Sequence, residues 1–237
     1  MKPDPALILF PLPVSETTNH SWLGDEYKEV LLDTRLFFVE NVRTARRFIS
    51  SLKLGIDIDA LRFEVLDKDT DFNAIRKYAD LIKQFGSSII MSEAGCPAVA
   101  DPGSLLVDEA HKCGIIVRPF VGPSAILLSL MGSGLSGQNF SFNGYLPIEK
   151  GDRNARIIQL EKESKNNHRT QIFIETPYRN SSLWHTFLEV LNAETRLCIA
   201  LDVLGKNQII SQRKVKEWNF QQEVSWPKQP AVFLFLA

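Results

Sequence analysis

Apolar positions along this chain fall into short runs separated by longer stretches with spaced apolar residues. In the first half the runs lie at residues 6–10, 36–39, 62–65, 88–91 and 115–117, and each reads as a strand. Residues 23–32, 44–52, 73–85 and 104–112 lie between them and read as helices. In 73–85 the apolar positions Ile75, Tyr78, Ala79, Ile82 and Phe85 keep helical spacing. Strands alternating with helices of this length predict βαβ units and a mostly parallel sheet.

Residues 118–123 read as a crossover into a second half with more strand. Residues 124–131 are strongly apolar and predict a buried helix. Residues 140–147 alternate aromatic with small polar residues, a strand pattern. A charged, helix-rich stretch follows at 148–168, then strand and loop at 171–177 and a helix at 182–191. Strands follow at 196–203, after a turn within 206–213, and at 231–236. This half is expected to contain antiparallel pairs.

Charge narrows the possible partners. The 237 residues hold 27 Lys and Arg against 28 Asp and Glu, a formal net charge of -1. A broadly basic nucleic-acid binder is excluded, so any such contact needs a local patch. Cys96, Cys113 and Cys198 are far apart and form no C-x-x-C pair, which argues against a disulfide framework and a structural zinc site. His20, His111, His168 and His185 show no ligand spacing, and no metal is expected. The apolar run before Pro11 is too short for a signal peptide or a membrane span, so the expected location is the cytoplasm, with no membrane partner.

The strongest local signal is Ser92-Glu93-Ala94-Gly95-Cys96-Pro97-Ala98-Val99-Ala100-Asp101-Pro102-Gly103, between a buried strand and a helix. Glycine and small side chains admit a ligand to the backbone, and proline stiffens the path. Loops at the carboxyl ends of parallel strands are where open α/β sheets bind ligands; an ordinary strand-to-helix turn reads the same letters. A second loop, Val121-Gly122-Pro123-Ser124-Ala125, precedes an apolar helix, where Ser124 serves as an N-cap or as a ligand contact. Gly132-Ser133-Gly134-Leu135-Ser136-Gly137 spells G-x-G-x-x-G but follows a helix rather than a strand, so it reads as a helix stop. Glu40 with Arg43, and Glu175 with Arg179, lie just past strand ends, placed either to orient a substrate or as surface ion pairs. Lys150, Arg153, Arg156, Lys162, Lys165 and Arg169 cluster among acids, as a solvated helix face or a phosphate-facing patch.

Taken together these loops carry a resemblance. Ser92-Glu93-Ala94-Gly95-Cys96-Pro97-Ala98-Val99-Ala100-Asp101-Pro102-Gly103 resembles the S-D-A-G-T-P-x-I-x-D-P-G signature of the tetrapyrrole methylase superfamily, in its ribosomal RNA small subunit methyltransferase I branch. The likeness continues through Pro119-Phe120-Val121-Gly122-Pro123-Ser124-Ala125, Phe142-Asn143-Gly144-Tyr145-Leu146-Pro147 and Phe173-Ile174-Glu175-Thr176-Pro177-Tyr178-Arg179. It implies an α/β chain of two αβα domains, a mostly parallel sheet over 1–118 and a mixed sheet over 119–237, with S-adenosylmethionine in the cleft between them. It also implies a homodimer.

By the same resemblance, cofactor contacts fall on Pro11, Gly95, Cys96, Pro97, Val99, Ser124, Ala125, Ile174, Pro230 and Ala231. The branch methylates the ribose 2′-oxygen of a small-subunit rRNA cytidine, which makes rRNA or the small ribosomal subunit the expected partner. A ribose hydroxyl is a poor nucleophile until its proton is taken or shared. Glu40 is the first candidate for that role and Glu93 the second, with Arg43 orienting a phosphate or the base.

The chain departs from the branch pattern at Pro11-Leu12-Pro13-Val14-Ser15-Glu16-Thr17, at Glu40-Asn41-Val42-Arg43 and at Ala200-Leu201-Asp202-Val203-Leu204-Gly205-Lys206. The cofactor loops are kept and the acceptor side differs. A small-molecule or tetrapyrrole methylase, and a cofactor-binding module without catalysis, are therefore the alternative expectations.

Overall fold

The apolar runs of the first half form five parallel strands: β1 (Ala6–Leu9), β2 (Leu36–Val39), β3 (Arg62–Val65), β4 (Ser87–Met91) and β5 (Ile116–Pro119). They stand in the order β3-β2-β4-β1-β5. The structure is a computed structural model describing residues 4–15, 17–18, 20–218 and 229–237. Because side chains alternate along a strand, the sheet buries two sets. Ile8, Phe37, Val39, Ile89 and Met91 pack beneath α1 (Asp25–Asp33) and α2 (Val42–Ser51). Leu7, Leu36, Phe38 and Ile90 pack beneath α3 (Phe72–Phe85) and α4 (Gly103–Lys112).

This arrangement sends neighbouring strands to helices on opposite faces. β1 and β4 are neighbours, but α1 leaves β1 for one face while α4 leaves β4 for the other. Their loops diverge at the carboxyl edge, the topological switch point where open α/β sheets bind ligands. Local chemistry sets the helix ends. Asn41 caps α2 by accepting from the Arg43 and Thr44 amides, and Asp71 caps α3 by accepting from the Ala74 amide.

The second half contains α5 (Ala125–Ser133), β6 (Phe140–Phe142), α6 (Lys150–Asn167), β7 (Thr170–Glu175), α7 (Asn180–Val190), β8 (Arg196–Leu201), β9 (Ile209–Lys214) and β10 (Ala231–Leu236). The sheet order is β6-β7-β10-β8-β9, with β6 parallel to β7 and the other pairs antiparallel. Phe173, Leu197, Ile199, Phe233 and Phe235 pack with α6 and α7 on one face. Ile172, Cys198, Ala200, Val232 and Leu234 pack with α5 on the other. The chain divides into two compact units, Met1–Val14 with Thr18–Pro123, and Ser15–Thr17 with Ser124–Ala237.

One sequence expectation changes in detail. The strand expected over 140–147 stops at Phe142, because Gly144 turns the chain with φ +64° and Leu146 then dips into the core. Gly134, at φ +66°, ends α5, so G-x-G-x-x-G is a helix stop as its position indicated. Ser124 caps α5 by accepting from the Leu127 amide at 3.4 Å. That bond is long, so Ser124→Ala is expected to cost about 0.5–1 kcal/mol, the low end for an N-cap. A shift in the denaturant midpoint at unchanged slope checks it.

Candidate functional site

Three loops of the first unit meet at its carboxyl edge. Leu12, after β1, and Gly95, after β4, exchange backbone hydrogen bonds of 2.9 and 3.0 Å. Gly95 has φ +71°, the left-handed region that favours glycine. The Cys96 thiol lies 3.4 Å from the Pro123 carbonyl and 3.8 Å from that of Gly122, after β5. Burial pushes this thiol up, so it stays protonated and donates. Gly122 lies flat against the Pro11 ring: a Cβ there would come within 2.2 Å of the Pro11 Cβ and Cγ. The structure thus brings Pro11, Gly95, Cys96 and Gly122 together.

The rest of the long loop hangs on Asp101. Its carboxylate accepts from the Ala98 amide at 2.9 Å and the Gly103 amide at 2.6 Å. Within the turn these bonds close, Ala98 and Ala100 stand at φ +65° and +60°, a conformation costing an L-residue roughly 1–2 kcal/mol. Val99, between them, is presented to solvent at 50% exposure, while Pro97 is buried. Burial raises the Asp101 carboxyl, against the two amide bonds that lower it. Sequence reasoning left Asp101 out of the site. The signal was present, an aspartate two residues before a glycine that starts a helix, where a short carboxylate reaches exposed amides.

Glu40 stands at the end of β2 and lines a small open depression with Leu66, Ile90, Met91, Ser92, Asp101 and Gly103. One Glu40 carboxylate oxygen accepts from the Glu93 amide at 3.2 Å, so the two candidate acids are adjacent. Burial, then the charge of Asp101, and also those of Glu93 and Asp67, push the Glu40 carboxyl above its usual range; the Glu93 amide opposes this. Arg43, in the first turn of α2, is exposed, and neither it nor Glu40 forms an ion pair among the described residues. Glu175 and Arg179, by contrast, are paired at 2.8 Å, the ion-pair reading of those letters.

A carboxyl raised by folding binds protons more tightly in the native than in the unfolded chain. Stability therefore falls as pH rises from the usual carboxylate range through the raised native value. Glu40→Gln is expected to raise the unfolding midpoint at pH 7, with the gain vanishing below the ordinary glutamate range. Melts at pH 7 and pH 4 check this.

In the second unit, Ala231 pairs with Glu175 and Leu201, and Val232 with Ile174, which places Ile174, Pro230 and Ala231 together at one end of the central strands β7 and β10. Ala125 and Ile174 flank the same apolar cluster. Asp202, just past β8, is buried at φ +45° and accepts from the Ser15 hydroxyl at 2.7 Å and the Asn207 amide at 3.0 Å. Its own amide donates to the Pro230 carbonyl at 3.4 Å. Glu16, in the departing segment after β1, lies outside the described residues. Cys198 is buried and its thiol is pushed up to about 12 by burial, which leaves it inert.

No protein-family model matches the chain. The chain is 29% identical over 205 residues to the Vibrio cholerae protein named ribosomal RNA small subunit methyltransferase I, an alignment covering 84% of this chain and 65% of that protein. Proteins of the same name from Xylella fastidiosa and Thermotoga maritima are each 34% identical. The first aligns over 66% of this chain and 54% of its own length, the second over 60% and 62%. Each alignment takes in less than two thirds of the relative's length.

Among solved structures, diphthine synthase superposes with a TM-score of 0.63 at 10% identity, covering 98% of this chain and 89% of that one. Uroporphyrin-III-C-methyltransferase from Thermus thermophilus gives 0.56 at 14% identity, covering 98% and 94%. The α/β chain, with one parallel and one mixed sheet, thus has the tetrapyrrole methylase fold, and in sequence it is related to proteins named ribosomal RNA small subunit methyltransferase I.

Proposed function

We propose that this chain is an S-adenosylmethionine-dependent methyltransferase whose acceptor is the ribose 2′-hydroxyl of a cytidine in small-subunit rRNA, working as a homodimer in the cytoplasm. The observation that carries the reading is the packed edge of Pro11, Gly95, Cys96 and Gly122 at the switch point between β1 and β4. The names of its sequence relatives support the acceptor class.

The donor set fits such a cofactor. Segments 11–15, 92–103 and 119–125 carry no lysine or arginine, while Glu93 and Asp101 lie among them with Glu40 beside. An edge of unbalanced carboxylates suits a ligand with a sulfonium and an ammonium charge. Exposed Val99 offers an apolar surface for a base. Gly95, Cys96, Pro97 and Val99 with Pro11 would hold the cofactor, and the resemblance also offers Ser124, Ala125, Ile174, Pro230 and Ala231 as contacts. When bound, the cofactor supplies a methyl group already activated by its sulfonium.

The chain's own work is alignment, water exclusion and proton handling. Glu40 accepts the hydroxyl proton, and its raised carboxyl brings it nearer the operating pH, as a general base requires. Glu93 stays beside it through the backbone bond. Arg43, exposed and without an ion pair among the described residues, presents a cation to a phosphate.

The test has two stages. Calorimetry with S-adenosylmethionine measures binding, and radiolabelled methyl transfer to small ribosomal subunits, with ribose methylation mapped by primer extension, measures function. No binding would reject the cofactor reading, and binding without transfer to rRNA would reject the acceptor.

A further inference from the structure

Two tyrosines of the second unit stand out from everything used so far. Tyr178 is 86% exposed and Tyr145 is 57% exposed, on loops that leave the carboxyl ends of the adjacent parallel strands β7 and β6. Solvent-facing aromatics normally come singly and mean little. Here both sit on turns that are held in place. The Ile174 amide donates to the Gly144 carbonyl at 3.1 Å, and Leu146 is buried in the core, so Tyr145 is fixed between two anchors. The Tyr178 turn is braced by Glu175, which accepts from the Thr176 amide at 2.6 Å and from the Arg179 guanidinium at 2.8 and 2.9 Å. The Arg179 amide closes the turn on the Thr176 carbonyl at 3.0 Å. Backbone held in this way need not be ordered when a ligand binds, which lowers the entropy cost of using the two rings.

We propose that Tyr145 and Tyr178 form a stacking surface for unpaired bases of the acceptor RNA. The proposal rests on the methyltransferase reading above and adds a recognition element on this chain for single-stranded RNA. Residues 143–148 and 176–178 hold no acid, and the start of the neighbouring α6 sets Lys150, Arg153 and Arg156 against Glu149 and Asp152, with Lys150 paired to Glu189 at 3.3 Å. The slight excess of cations beside loops free of acid tolerates a phosphate backbone, and the selectivity rests on the two aromatic faces. The chain's net charge of -1 removes general electrostatic attraction, so affinity has to come from such a local site. Base-on-aromatic stacking needs no net charge and demands bases free of a duplex, because paired bases keep their faces covered.

The experiment is fluorescence anisotropy of the whole protein, saturated with cofactor, against a short labelled cytidine-containing RNA as single strand and as duplex. Wild type is expected to prefer the single strand. Tyr145→Ala and Tyr178→Ala are each expected to weaken it about 5- to 150-fold, whereas Tyr→Phe at either position should stay within about threefold. Methyl transfer measured alongside should show KM rising in the Ala variants with kcat held. Unchanged affinity in both Ala variants, equal affinity for the duplex, or loss in Phe and Ala variants alike would overturn the proposal. Conversion of a dimer to monomer by the Ala variants in sedimentation would do so as well, since a second copy would then cover this surface. Failure of the underlying reading shows differently: wild type itself would transfer no methyl group to rRNA.

Discussion

Glu40→Gln is expected to lower the methyl-transfer rate about 10²- to 10⁴-fold, the usual worth of a positioned general base. Cofactor affinity should change little. Gln retains an oxygen able to accept from the Glu93 amide, so the loop that begins there keeps its anchor. The pH profile sharpens the expectation. Burial and the neighbouring Asp101 and Glu93 charges raise the wild-type carboxyl, so it loses its proton only above the usual glutamate range. Wild-type rate should therefore climb with pH through that raised value, and the variant should lose this limb. Single-turnover rates between pH 4 and pH 8 check both points. A variant with wild-type rate would place the base elsewhere, with Glu93 next in line.

Gly122→Val is expected to destabilise the first unit severely and to abolish cofactor binding. Any Cβ at 122 would come within 2.2 Å of the Pro11 Cβ and Cγ, far inside contact distance. Neither partner yields easily. Pro11 is a buried ring, and Leu12 beside it is bound to Gly95 through two backbone bonds. Overpacking typically costs about 1–3 kcal/mol and occasionally more. With a buried proline ring in the way, Gly122→Val should reach or exceed the top of that range. Gly122→Ala meets the same Cβ clash with less bulk beyond it, and grades the effect. Denaturant melts measure the loss, and calorimetry with S-adenosylmethionine measures what remains of the loop edge.

Most of the architecture was legible in the residue pattern, since the burial of a parallel sheet writes itself as short apolar runs. Residues 36–39 and 231–236 are fully buried strands and read as such. Residues 92–103 were also legible as a loop between strand and helix, though the letters alone do not tell an ordinary turn from a ligand site. Pairings across the sheet were less visible. Glu40 meets Glu93 because β2 lies beside β4 with Val39 opposite Met91, a register that no local pattern encodes. The Asp202 contact to Ser15 joins positions 187 apart in the chain. Tyr145 could not be separated from the strand pattern around it until Gly144 was seen to break the strand. Asp101 was legible only in part: its place before Gly103 points to an amide at the helix start, while its bond to the Ala98 amide closes a turn that no local pattern marks.

The left-handed alanines beside Asp101 constrain how this protein can drift. At Ala98 and Ala100 a β-branched or bulky side chain would be strained whatever it touched, whereas glycine and asparagine adopt the same conformation readily. A saturation library at these positions, selected for folding alone, should return a short alphabet of Gly, Asn, Asp and Ala. Val99 between them, free in solvent and under no such backbone demand, should be open to any residue until selection for ligand binding is imposed.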